Sequence, residues 1–168
     1  MGRVLVQTNR ATQSISESDR ALGLNPNFAA AHAQIGFAKL VDGHAEETER
    51  HENEALHVSP RDTDAYVWVA YMALAKLHLG AYEDALDLYR RSIELNRNYA
   101  TGRFLYAANL VEVGKLDEAK MEVKTALALN PKFTLRRYRE GAQSNNAAFL
   151  KRREQIIESM RKAGTPEE

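Results

Sequence analysis

His51-Glu52-Asn53-Glu54-Ala55 is the stretch that comes nearest to a catalytic signature. A zinc-protease helix needs two histidines four residues apart on one face, with a glutamate beside the first as general base. Position 55 is Ala, so the second ligand is missing. The five histidines (His32, His44, His51, His57, His78) fall on three predicted helices or turns without ligand spacing. Gly114-Lys115 lacks the upstream glycine of a phosphate loop, and no serine has the flanking glycines of a nucleophile elbow. There is no Cys, which excludes disulfides, thiolate metal sites and a Cys nucleophile. Glu46, Glu47, Glu49, Glu52 and Glu54 read as the solvated outer face of a helix. No catalytic residue, cofactor or metal ligand is assigned, and an enzyme is only a remote alternative.

Two basic clusters, Arg136-Arg137-Arg139 and Lys151-Arg152-Arg153, are the one local charge asymmetry. Solvation and pairing with glutamates account for them more simply than an anionic partner. Across the chain, 23 Lys and Arg balance 23 Asp and Glu. A neutral chain gives no electrostatic reason for nucleic acid or an anionic membrane as partner. No apolar run reaches the roughly 20 residues of a membrane span. Met1 to Val6 lacks the apolar stretch of a signal peptide and has no Ser or Thr at position 6 for myristoylation. A cytoplasmic protein is expected. The chain is rich in Ala, Leu, Glu and Arg and poor in Pro and Gly, a mixture that favours helix. Its 168 residues suffice for one domain with a substantial core.

The elements repeat. Gly43, Gly80 and Gly114, each just ahead of an acidic pair, recur at intervals of 37 and 34 residues. Leu22, Leu56, Ile93 and Leu127 recur at 34, 37 and 34, each followed four residues later by Pro26, Pro60, Arg97 or Pro131. Two markers with one period define a unit of two helices. Gly ends the first helix in the left-handed conformation. The acidic pair sits in the first turn of the second helix, where negative charge is favoured. Small residues such as Ala85, Ala119 and Ala126 let the helices approach. The residue before Pro is pushed out of the α region, which stops the second helix. One hairpin cannot bury its apolar face, so neighbours must stack.

This pattern resembles the tetratricopeptide repeat. That unit has a small residue at its eighth position, Gly near the fifteenth and Ala at the twentieth. A large residue follows at the twenty-fourth, Ala at the twenty-seventh and Pro at the thirty-second. Residues 29–62 match with Gly36, Gly43, Ala45, Ala55 and Pro60, but carry Thr48 and Glu52 where Ala and an aromatic are usual. Residues 66–99 match with Ala73, Gly80, Tyr82, Ala85 and Tyr89, but carry Ser92 and Arg97. Residues 100–133 match with Ala107, Gly114, Leu116, Ala119, Ala126 and Pro131, with Val123 for the aromatic. The resemblance implies an all-α fold: a right-handed α-solenoid of antiparallel helix hairpins with C-terminal capping helices. It divides the chain into a truncated repeat (1–26), a repeat (27–62), a repeat with a lengthened first helix (63–99), a repeat (100–133) and capping helices with a tail (134–168).

The irregularities carry further expectations. Three extra residues precede Gly80, so the helix capped by Asp62 should be about one turn longer than its neighbours. Gly2 and Asn9 fall at the eighth and hairpin positions. This half-repeat, exposed over residues 2–8, points to a fragment of a longer protein and offers a surface for homodimer contact. Phe133–Arg139 and Ala147–Lys162 should be helices, and Ala163–Glu168 a frayed end.

In the resembled family, first helices line a concave groove. Carried over by position, the groove residues include Phe37, Val41, Leu74, His78, Phe104, Ala108 and Glu112, joined by Tyr71. Such an apolar surface would take an amphipathic helix or extended peptide of a partner protein. The plain alternative is core between layers. The cations and amides that some family members use to hold a peptide's terminal carboxylate are absent, since the corresponding positions include Ala33, Phe37, Tyr71, Thr101 and Leu105. The linkers and tail also look like the C-terminal repeat regions of bacterial multidomain regulators carrying a class III adenylate cyclase or winged-helix module. That likeness implies a sensory module contacting an upstream output domain; a free-standing adaptor is the alternative.

Overall fold

A computed structural model describes residues 10–168. The half-repeat over residues 2–8, and Asn9 with it, lies outside the described residues. From residue 10 the chain is helical. After α1 (Ala11–Leu24) come three hairpins: α2 (Ala29–Val41) with α3 (Ala45–Val58), α4 (Ala65–Leu79) with α5 (Tyr82–Leu95), and α6 (Ala100–Glu112) with α7 (Leu116–Leu129). A short α8 (Leu135–Glu140) and a longer α9 (Ala147–Lys162) close the chain.

Each hairpin turns where the sequence requires it. Gly43, Gly80 and Gly114 have φ of +93°, +78° and +79°, a region closed to most side chains. The second helices then open on Glu46-Glu47, Glu83-Asp84 and Asp117-Glu118. Between repeats a side chain bonds its own backbone: Asn25, Asp62 and Asn96 each accept the N–H two residues on, at 3.1, 2.9 and 3.0 Å. This local turn explains why Arg97 can stand where Pro is usual. Asp62 therefore shapes the turn instead of capping a helix directly. The helix starts at Ala65 and has 15 residues against 13 in α2 and α6, a smaller extension than the predicted full turn.

Packing is tightest at the small positions. Ala55, Ala85, Ala119 and Ala126 are fully buried between helices. Two departures from the family pattern satisfy themselves on the backbone of a first helix. Thr48 Oγ1 donates to the Gly36 carbonyl at 3.2 Å, and Ser92 Oγ to the Tyr66 carbonyl at 2.7 Å. First helices touch their counterparts in the next hairpin more extensively than second helices do, so the stack curves with first helices inside. No helix among the described residues is long and apolar enough to cross a membrane.

The C-terminal segment corrects one expectation. Residues 163–168 do not fray. Ala163 and Thr165 are buried, and the carbonyls of Pro166 and Glu167 accept the N–H groups of Leu135 and Arg136 at 2.9 and 3.1 Å. The first turn of α8 has unmet donors, and the tail supplies their acceptors. α9 in turn packs along α6 and reaches α4, which puts it on the inner face of the solenoid.

Candidate functional site

The inner face is divided by α9. Asn146 caps that helix, its Oδ1 accepting the Phe149 N–H at 3.0 Å, while its Nδ2 donates to the Asp42 carbonyl at 2.8 Å. Ser144 donates to the Val41 carbonyl. The start of α9 is thus pinned to the α2–α3 turn. Further along, the Phe149 ring stacks on His78 with centroids 4.7 Å apart. Arg152 donates to the Leu77 carbonyl at 2.7 Å and to the Tyr82 hydroxyl at 2.9 Å. Ser159 donates to the Glu112 carboxylate. Ile156, Ile157 and Met160 are fully buried.

The sequence-selected groove residues therefore fall into two sets. Phe37, Val41, Tyr71 and Leu74 line an open cleft with a volume of about 450 Å³. The other four lie outside this cleft, with Glu112, partly buried, edging a separate hollow beside Tyr82 and Val113. Phe104 is buried and stacked on Phe133 at 3.8 Å. Ala108 is fully buried. His78 lies under Phe149, and Glu112 is engaged by Ser159. α9 lies on His78 and engages Glu112, while Phe133 covers Phe104.

At the centre of what stays open, Phe37 and Tyr71 stack with centroids 4.3 Å apart and planes 19° from parallel. They separate two adjoining hollows, which share these rings and Gln143 as walls. The first, about 480 Å³, runs between α1, α2 and α4 and is edged by Glu17, Asp62 and Asp64. The second is edged by Lys132, Arg137 and Arg153. Arg153 is only 9 % exposed; its guanidinium lies 3.7 Å from the Tyr138 ring centroid and donates to the Tyr138 carbonyl. Its Nε is buried without an acceptor.

Sequence reasoning missed Gln143, Tyr138 and the cations as cleft residues. The basic clusters were visible, but their placement depends on where the cap folds. Charge does line this face, against the expectation of an almost wholly apolar groove.

Burial shifts several groups strongly, the phenols of Tyr89 and Tyr99 upward among them. Burial, with Arg152 and Arg153 nearby, lowers the His78 imidazole to about 4. Burial alone pushes Glu52 well above the carboxylate range; neither of its oxygens has a hydrogen-bond partner. Glu52 sits against Gly36, where an added Cβ would come within 2.6 Å of its carboxylate. Among the described residues, one grouping has the reach to hold a cation: His44, Glu46 and Glu47. It is solvent-facing, and Glu47 is already paired with Lys39 at 3.0 Å.

No family model matches the chain, and neither does any curated protein. Solved structures do resemble it. MamA aligns with 97 % of this chain and 92 % of its own, at TM-score 0.67 and 18 % identity. YrrB, described as a TPR protein with an unusual peptide-binding site, aligns over 96 % and 80 %, at 0.61 and 23 %. TTC0263, a thermophilic TPR protein of Thermus thermophilus, aligns over 96 % and 86 %, at 0.68 and 21 %. With the helix hairpins, their glycine turns and their inward-facing first helices, these likenesses give the chain the all-α solenoid fold of tetratricopeptide-repeat proteins.

Proposed function

We propose that this protein is an interaction scaffold that holds an extended segment of a partner protein in the cleft walled by Phe37, Val41, Tyr71 and Leu74. The observation that carries this reading is the Phe37–Tyr71 stack, which stands half-buried at the junction of two hollows. Large rings with few rotatable bonds make good anchors for a partner side chain. α9 fills the neighbouring part of the same face, so the open part suits a peptide strand better than a second full helix. YrrB, which shares the fold, is itself described as having a peptide-binding site. The reading is of binding without turnover. A random-peptide selection followed by calorimetric titration tests it. Phe37→Ala and Tyr71→Ala should each weaken a selected peptide by about 1–3 kcal/mol with unchanged helicity. A peptide indifferent to both would place its site elsewhere.

A finer reading makes the array a cytoplasmic regulatory module of a larger signalling protein. Leu24, 91 % exposed, and the half-exposed Phe28 favour it. Both lie at the N-terminal end of the stack, where a further unit could cover them. The parent gene tests it: a cyclase or winged-helix module encoded upstream is the expected result, and an adaptor ending near Met1 the opposing one.

A further inference from the structure

The cleft is charged in opposite senses at its two ends. Glu17, Asp62 and Asp64 edge one hollow and no cation does; Lys132, Arg137 and Arg153 edge the other and no carboxylate does. The basic end is distinguished by how its charges are left. On the outer side of the same C-terminal segment, Arg136, Arg139 and Arg161 each face glutamates, at distances such as 3.4 Å to Glu168 and 3.0 Å to Glu154 and Glu167. Lys132, Arg137 and Arg153 have no carboxylate partner among the described residues. Arg153 is also nine-tenths buried, with a guanidinium N–H that meets no acceptor. A buried guanidinium is costly unless its charge is met. Arg137 donates to the Lys132 carbonyl at 2.8 Å and Arg153 to that of Tyr138, so both are held in place by neutral acceptors, and three cations without a carboxylate edge one hollow of the cleft.

We infer that the partner segment is itself polarised: a carboxylate side chain seats against Lys132, Arg137 and Arg153, an apolar or aromatic side chain packs on the Phe37–Tyr71 stack, and a cationic residue faces Glu17 and Asp62. This rests on the cleft reading above and narrows it to one ligand chemistry. The distance fits a short strand. From α2 to α6 is two interhelix spacings of roughly 8–10 Å, which extended chain covers in roughly five or six residues. Arg137 and Arg153 come from the cap and Lys132 from the turn just before it, none from the first helices, so folding of residues 134–168 onto the inner face supplies two of the three cations.

Capped peptides of seven residues, blocked at both termini so that only side chains carry charge, supply the test. An array varies the end residues among Lys, Ala and Glu around a central Phe-Leu pair, and fluorescence anisotropy measures the binders. Peptides with Lys at one end and Glu at the other should bind best. Replacing that Glu with Gln should weaken binding at least about tenfold, and so should Lys132→Gln with Arg137→Gln, both of which are exposed and should fold normally. Binding should also weaken several-fold between low and high salt, since the contacts are partly solvent-accessible. Lys132→Glu with Arg137→Glu should shift preference to a peptide carrying Lys at that end. If neutral peptides bind as tightly as polarised ones, yet lose binding with Phe37→Ala, the charge assignment falls and the cleft stands. If no peptide binds, or binding ignores Phe37→Ala, the cleft reading falls with it.

Discussion

Glu52 occupies a core position that favours a large apolar side chain, and nothing answers its carboxylate. Burial holds it protonated in the fold above the usual value of 4.5. Over that range the folded chain keeps a proton that the unfolded chain has released. Stability therefore falls as pH rises above 4.5 and levels off beyond the folded pKa. Glu52→Leu should remove this slope and raise stability at pH 8 by about 1–3 kcal/mol, read from urea midpoints at several pH values. His78 works in the opposite sense. Its folded pKa of about 4 lies below the usual 6.5, so its contribution is complete above 6.5 and is lost as pH falls through 4. The loss should be felt first where Phe149 lies on the imidazole. Hydrogen exchange in α9 should accelerate on acidification relative to α5, and His78→Gln should flatten that dependence. Equal acceleration in both helices would show that His78 does not hold α9 down.

At the scale of elements, Ala119 is fully buried between helices. Ala119→Leu should cost roughly 1–3 kcal/mol through overpacking, seen as a lower denaturation midpoint. Asn146 caps α9 and bonds the Asp42 carbonyl, so Asn146→Ala removes two contacts at once. The cap alone is worth about 0.5–2 kcal/mol. Protection should drop along α9 and little in α7; uniform loss would mean that the segment does not move separately. The hairpins were legible in the sequence because their causes are local: a glycine at positive φ, an acidic first turn, an alanine at each close approach. The path of residues 134–168 was not. The apolar residues of α9 announce that one face is buried, but no local signal says against which surface. That path bears on the groove residues unequally: α9 stacks on His78 and engages Glu112, whereas Phe104 is covered by Phe133 ahead of the cap, and Phe37 and Tyr71 stay half-buried. The same path hid Arg153 from the site.

Across the whole molecule, stacked repeats are ordinarily a one-dimensional system in which each unit feels only its neighbours and the ends come apart first. The Ser144–Val41 and Asn146–Asp42 bonds break that rule, joining residues 103 and 104 positions apart in the chain. They tie the last element to the first complete hairpin, so the stack behaves as a clasped band instead of an open row. Opening the clasp admits solvent to the inner side of α2, α4 and α6 together, which couples hairpins that are not adjacent. Unfolding should therefore be a single sharp transition, with helicity and Trp68 fluorescence lost at the same urea concentration. Ser144→Ala combined with Asn146→Ala should separate the two signals and let the row fray from an end. Closing a loop of about a hundred residues also costs chain entropy before the clasp is rewarded. The band should accordingly refold in two kinetic steps, a fast one that builds the hairpins and a slower one that fastens them.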